Sequence, residues 1–338
     1  MRGSSYTKRN TKRTLVLCII PAVLAALYLL FVDLLVDTAL VPSFMRRLDK
    51  FKEITQKVVS EQIDTEDIKD NSSALRMISS AWSKDAEAEN WQVTSGDGLK
   101  LTARFFPADS RIPHRYALLL HGYTGNKEAM YPIAYWYHLK GYQVLCPDFR
   151  AHGESEGDFI GMGYLDRGDV LLWIGRILDR DPDAAVVIHG LSMGASCALM
   201  LSGMEEVPAC VRAVVADSAF TDAYSMFRVK IRDWFHLPAF PIIDTARLLI
   251  RLRGGYDLKA ASPADAVTGS SIPTLFIYGE EDVMIPADMT PELYERAACE
   301  KELYAGEGAG HCQAYEKAPA VYFRTVQGFL DPVMPVND

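Results

Sequence analysis

The 338-residue sequence predicts an α/β fold, a mostly parallel sheet with helices on both faces, preceded by one N-terminal transmembrane helix. Three observations predict it. From about residue 88, short runs of Val, Ile and Leu alternate with helical patterns. Each run ends in glycine or polar residues, and an uncharged apolar segment precedes them all. Continuous apolar runs between helices belong to parallel strands covered on both faces.

In chain order, residues 1–13 form a basic tail: Arg2, Lys8, Arg9, Lys12 and Arg13 occur there without an acid. Residues 15–32 then carry no charge. At about 1.5 Å per residue this run nearly matches a hydrocarbon core of about 30 Å. Cleaved signal peptides have a shorter apolar region and a small-x-small cleavage site. The one late candidate site, ending at Ala39, has Asp37 at a position that should be small and neutral. Residues 14–36 therefore read as a retained signal anchor. A buried core helix is the alternative, but the run has no polar face. The basic tail favours a cytoplasmic N-terminus and an extracytoplasmic remainder. Arg46, Arg47, Lys50 and Lys52 at the other end argue the opposite way, from farther off.

Residues 37–87 read as a helical connector, with Phe44, Leu48, Phe51, Ile54 and Val58 three or four apart. Residues 88–332 read as the α/β domain. It begins with a hairpin, two short strands around Ser95-Gly96-Asp97-Gly98. Strand runs follow at 116–122, 142–148, 184–190, 212–218, 273–279 and 301–306, with helix candidates at 163–179, 193–204, 287–299 and 312–330. Between residues 218 and 273 no strand is legible. Two helical patterns occur there, one with Phe227, Ile231, Trp234 and Phe235 and one around 243–252. Residues 221–272 are either a lid over the strand ends or an insertion that serves packing alone.

Gly190-Leu191-Ser192-Met193-Gly194 stands between a strand and a helix, the setting of a nucleophile elbow. A serine hydroxyl needs a base to attack at neutral pH. Among seven histidines, His311 alone lies in a Gly-rich loop after the final strand; His121, His152 and His189 read as structural. A carboxylate should orient the base. Asp282 is the first choice, with Glu280, Glu281 and Asp217 as rivals. The order Ser, Asp, His suits this topology. Backbone N–H donors for a developing oxyanion are expected at Met193 and Tyr123.

The ordered segments HGYTG, DFRAHGESEG, GLSMGA, ADSAF, GEEDVMIP and GAGH resemble the α/β-hydrolase superfamily over roughly residues 88–332. Within it, the chain is similar to membrane-anchored bacterial hydrolases of the Bem46-like and prolyl-oligopeptidase-like branches. The resemblance implies the α/β-hydrolase fold, a triad of Ser192, Asp282 and His311, and an oxyanion hole at Tyr123 and Met193. Ala151 departs from the superfamily pattern, where glycine is commoner.

The expected chemistry is acyl transfer through a covalent acyl-serine, first on an ester, as in a carboxylesterase or lipase. A peptidase or acyltransferase on the same triad is the alternative, and a membrane-anchored binding module that keeps the fold is the non-enzymatic one. Apolar lid residues favour a small-molecule or lipid-like acyl substrate; packing of the lid explains them equally well. No cofactor or metal is expected, since HExxH, paired CxxC, P-loop and GxGxxG patterns are absent. The net charge of -9 without a basic stripe argues against nucleic acid. The six cysteines lack disulfide or zinc spacing. Only Cys299 and Cys312, bracketing one strand, form a pair that would bridge in an oxidising compartment; unpaired thiols are the reading taken. The sequence does not specify an oligomeric state.

Overall fold

The computed structural model describes residues 4–45, 66–108 and 113–334. Leu48, Phe51, Ile54 and Val58 of the expected connector and its basic residues at 46, 47, 50 and 52 lie outside them, as does Arg2. Eight strands form one sheet: β1 (Glu89–Thr94), β2 (Lys100–Phe106), β3 (Arg115–Leu120), β4 (Gln143–Pro147), β5 (Ala185–Leu191), β6 (Val211–Asp217), β7 (Thr274–Gly279) and β8 (Lys301–Gly306). Their order is β1-β2-β4-β3-β5-β6-β7-β8. The hairpin strands are antiparallel to their neighbours, and β4-β3-β5-β6-β7-β8 run parallel. The chain departs from β3 to one side through β4 and to the other through β5. That reversal opens a crevice at the carboxyl ends of β3 and β5, where ligands of such sheets bind.

Alternation within each strand feeds two cores. Leu118, Leu120, Ile188, Val214 and Phe276 pack on one face. Ala117, Leu119, Val187, Val215 and Ile277 pack on the other. The principal helices are α1 (Ser4–Leu40), α2 (Glu66–Asp85), α3 (Tyr131–Leu139), α4 (Asp166–Arg180), α5 (Met193–Ser202), α6 (Ala223–Phe235), α7 (Ala239–Arg253), α8 (Met289–Arg296) and α9 (Pro319–Val333). The helix expected over 312–330 is two pieces, a turn at Ala314–Lys317 and then α9. Pro319 explains the break, because proline starts helices and keeps the preceding residue out of helical geometry. α3 was not legible as a helix: YPIAYWYHL has no polar face to mark the period.

The N-terminal apolar run lies in α1, whose segment Ile19–Leu40 is long and apolar enough to cross a membrane. The helix does not end where the charge-free run ends. It continues into contact with α7, burying Val32, Val36 and Leu40. Polar contacts hold this junction. Tyr28 and Thr245 hydroxyls lie 2.9 Å apart, Arg253 pairs with Asp33 at 2.5 Å and with Asp37, and the Ile160 N–H donates to the Leu40 carbonyl at 2.9 Å.

Candidate active site

β5 runs straight into α5 through Ser192, and so sharp a turn dictates its own sequence. Ser192 has φ 53°, the left-handed region that side chains other than glycine rarely occupy. A Cβ on Gly190 would meet the Gly194 carbonyl carbon at 2.3 Å, and one on Gly194 would meet the Leu120 carbonyl oxygen at 2.2 Å. Only glycine fits both flanks. The Ser192 N–H is held by the Asp217 carbonyl at 2.8 Å, which ties the elbow to β6. Strain of this kind, of the order of 1–3 kcal/mol, persists where the surroundings over-determine it.

The loops after β7 and β8 bring two more side chains to the same point. His311 Nε2 lies 2.8 Å from Ser192 Oγ, and His311 Nδ1 lies 2.7 Å from Asp282 Oδ2. With Nδ1–H donating to the carboxylate, Nε2 is free to accept the serine proton. The second Asp282 oxygen accepts the Met284 and Ile285 N–H groups, each at 2.8 Å, so the carboxylate cannot turn away. Burial opposes a charged His311, while Cys312 and Asp282 beside it act the other way, and its pKa stands well above the ordinary histidine value. Burial also pushes the Cys312 thiol up, keeping it neutral near pH 7.

The rival carboxylates sit elsewhere. Glu280 and Glu281 are exposed. Asp217 is buried and accepts from Ser218 Oγ at 2.9 Å and Tyr322 OH at 3.0 Å. Burial pushes its carboxyl up to about 6. Ser218 Oγ in turn accepts the Cys312 N–H at 3.1 Å, so Asp217 braces the loop that carries His311 without touching the imidazole.

The other histidines near strand ends are tied into the framework. His121 Nε2 accepts the Phe149 N–H at 3.0 Å, and its Nδ1 donates to the Gly122 carbonyl at 2.8 Å. His189 lies between the hydroxyls of Tyr137 and Tyr322. Burial drives both down to about 3, so both are neutral. His152 Nδ1 donates to the Arg150 carbonyl at 2.9 Å.

Met193 follows Ser192 in the chain, and Tyr123 lines the same cavity as Ser192. Met193 opens α5, where N–H groups have no partner within the helix. Among the described residues, neither the Tyr123 nor the Met193 N–H donates to a protein acceptor. The loop bearing Tyr123 is held by Asp148, whose carboxylate accepts the Lys127 N–H at 2.7 Å and the Lys127 ammonium at 2.5 Å. Ala151, in the superfamily's usual glycine position, has φ 62°, which explains why glycine is commoner there.

Above the three side chains lies a cavity of about 690 Å³ whose wall is mostly apolar. Its volume is in the range of small-molecule sites, about 300–1,000 Å³. α6 and α7 supply Phe227, Ile231, Trp234, Ile242 and Ile243 to it. Among the described residues, Lys230 is the one lysine or arginine in this wall, its ammonium held by the Val283 carbonyl at 2.6 Å. The wall also includes Leu35, Val36, Ala39 and Leu40 of α1, which sequence reading assigned only to an anchor and its connector. The apolar run before them has no polar face, so it gave no sign of which side of α1 meets protein. Cys299 and Cys312 are unpaired, and no cluster of metal-ligating side chains occurs among the described residues.

Residues 117–325 match the Alpha/beta hydrolase family. The chain belongs to that family. Among curated relatives, this α/β hydrolase is 30% identical to the protein YqkD of Bacillus subtilis, covering 63% of this chain and 70% of that one. It is 26% identical to the lysophosphatidylserine lipase ABHD12 of Danio rerio, covering 60% of this chain and 52% of the relative. Among solved structures, the Pyrococcus furiosus esterase Pf2001 superimposes with a TM-score of 0.60 at 23% identity, covering 74% of this chain and 93% of the esterase. That likeness is one of fold.

Proposed function

We propose that this α/β hydrolase is a membrane-anchored serine esterase, carboxylesterase or lipase-like, working through Ser192, His311 and Asp282. One observation carries the reading: Ser192 Oγ and His311 Nε2, 2.8 Å apart, face a largely apolar cavity, with Asp282 behind the imidazole. Ser192 Oγ attacks the ester carbonyl as its proton passes to His311 Nε2. The oxyanion accepts the Tyr123 and Met193 N–H groups. The carbon–oxygen bond to the alcohol breaks, and His311 returns the proton to the leaving oxygen. Water, deprotonated by His311, then attacks the acyl-serine, releasing the acid and restoring Ser192. Asp282 stabilises the imidazolium that forms in both halves.

An apolar wall supports an acyl group rather than a polar peptide backbone, and the lipase among the relatives supports it further. In this reading residues 14–36 of α1 anchor the chain and the basic tail stays in the cytoplasm, leaving the catalytic domain outside. Protease protection of intact cells against permeabilised ones tests the side of the membrane. The activity is tested with the full chain in detergent on p-nitrophenyl esters of increasing acyl length, beside Ser192→Ala. Hydrolysis that disappears with Ser192 is the expected result; equal rates in both proteins would overturn it.

A further inference from the structure

The helix read as an anchor is also part of the cavity. Leu35, Val36, Ala39 and Leu40, its last two turns, line the space above Ser192. Polar contacts put them there. Arg253 at the end of α7 pairs with both Asp33 and Asp37, and the Tyr123 hydroxyl donates to the Ala39 carbonyl. The charge-free residues 15–32 nearly span a hydrocarbon core of about 30 Å, and their last turns, through Tyr28 and Val32, already pack on the domain. The membrane surface then falls where α1 meets the domain.

What lies beside α1 fits that position. α7 packs on α1, and it carries Phe240, Leu248 and Leu252, exposed by 77%, 56% and 73%. Trp234 and Phe235, at the end of α6, line the cavity and are also exposed, so they form part of its rim. The exposed Arg251 and Arg253 lie in the same stretch. Exposed apolar side chains mixed with arginine are the composition of surfaces that sink into the headgroup region of a bilayer.

Building on the serine esterase reading above, we propose that the substrate is a long-chain acyl ester resident in the bilayer. Its acyl chain enters from the membrane between α1 and the α6–α7 rim. The last turns of α1 form the wall along which it lies. The acyl chain never crosses bulk water, which spares it the cost of about 0.8 kcal/mol per exposed methylene. Ser192 meets the ester at the chain's end, and the polar alcohol leaves toward solvent.

The test uses the full chain reconstituted in phosphatidylcholine vesicles, with p-nitrophenyl acetate and p-nitrophenyl palmitate as probes. Leu35→Trp and Thr38→Trp each fill the α1 side of the cavity from a partly exposed position. Rates are scaled to the fraction of sites that react with a fluorophosphonate, so misfolded protein does not count. The ratio of palmitate to acetate kcat/KM should fall about tenfold in both variants, as expected for two lost methylene contacts. Leu252→Glu should lower palmitate turnover several-fold more in vesicles than in detergent micelles. Ratios within twofold of the unaltered chain in both Trp variants, with turnover still dependent on Ser192, would overturn this inference alone. Turnover independent of Ser192 would overturn the esterase reading and this inference together.

Discussion

The hydroxyl of Tyr123 donates to the carbonyl of Ala39, joining the loop beside Ser192 to the last turn of α1. The carbonyl is one of the helix-end acceptors that α1 cannot satisfy internally. In the proposed reading the same residue also gives its backbone N–H to the oxyanion, so its position matters twice.

Tyr123→Phe keeps the backbone donor and removes the tether. Leaving a part-buried carbonyl without its partner costs about 1 kcal/mol, the low end of the range for buried groups. The variant should unfold several degrees lower and hydrolyse p-nitrophenyl butyrate roughly threefold to tenfold more slowly. An unchanged melting temperature would show that the tether contributes nothing.

Ser192→Ala and His311→Ala should each lower kcat by about 10⁴-fold or more while melting close to the parent. Met193→Ala should change kcat by no more than a few-fold, since its proposed part is played by the backbone. Calorimetry beside turnover separates a lost nucleophile from a lost fold.

Asp282→Asn and Asp217→Asn separate the two carboxylates. Asp282 bonds His311 directly, so its loss should cost roughly 10²–10⁴-fold in kcat. Asp217 acts on that loop only through Ser218, and its loss should cost about tenfold or less. The base must be neutral to accept the serine proton, so activity should rise with pH through an apparent pKa above 6.5, the ordinary histidine value. Asp282→Asn removes the charge that favours the imidazolium, so this limb should move to lower pH. A limb that stays put in Asp282→Asn would assign it to another group.

Asp166 is expected to govern a pH dependence of stability. It is buried, and burial first and the Asp169 charge second raise its pKa from 3.8 to about 7. Between those values the folded chain holds a proton that the unfolded chain has released, so stability falls as pH rises. Asp166→Asn does not titrate. Its melting temperature relative to the parent should climb between pH 4 and pH 8, by the equivalent of at most about 4 kcal/mol. A flat difference across that range would contradict it.

The strands were legible because a sheet buried on both faces writes continuous apolar runs, as at YALLL in β3 and AVVI in β5. The residues at the elbow were legible because sterics leave no choice: at Gly190 and Gly194 any side chain collides with backbone. The meeting of Ser192, His311 and Asp282 was anticipated from motif order, though the distances come only from the fold. α3 was not legible, since a helix rich in tyrosine and covered by α2 has no polar stripe. Nor was the role of Leu35 and Ala39 in the cavity. A uniformly apolar helix says that it avoids water and does not say which side faces protein. Asp33 and Asp37, which pair with Arg253 far along the chain, were the local sign that α1 goes beyond an apolar span.

α1 passes from its apolar stretch to the cavity wall with no break in the helix. A catalytic domain hung on a slack tether can rise, sink and roll above a bilayer. One mounted on a continuous helix is held more closely, and in the proposed reading its nucleophile is kept near a single altitude. Depth then becomes a filter: a scissile bond buried deeper or floating higher than Ser192 is out of reach, whatever its chemistry. In that reading, exchanging α1 for a generic lipid anchor would keep the protein at the membrane and take away part of the cavity wall.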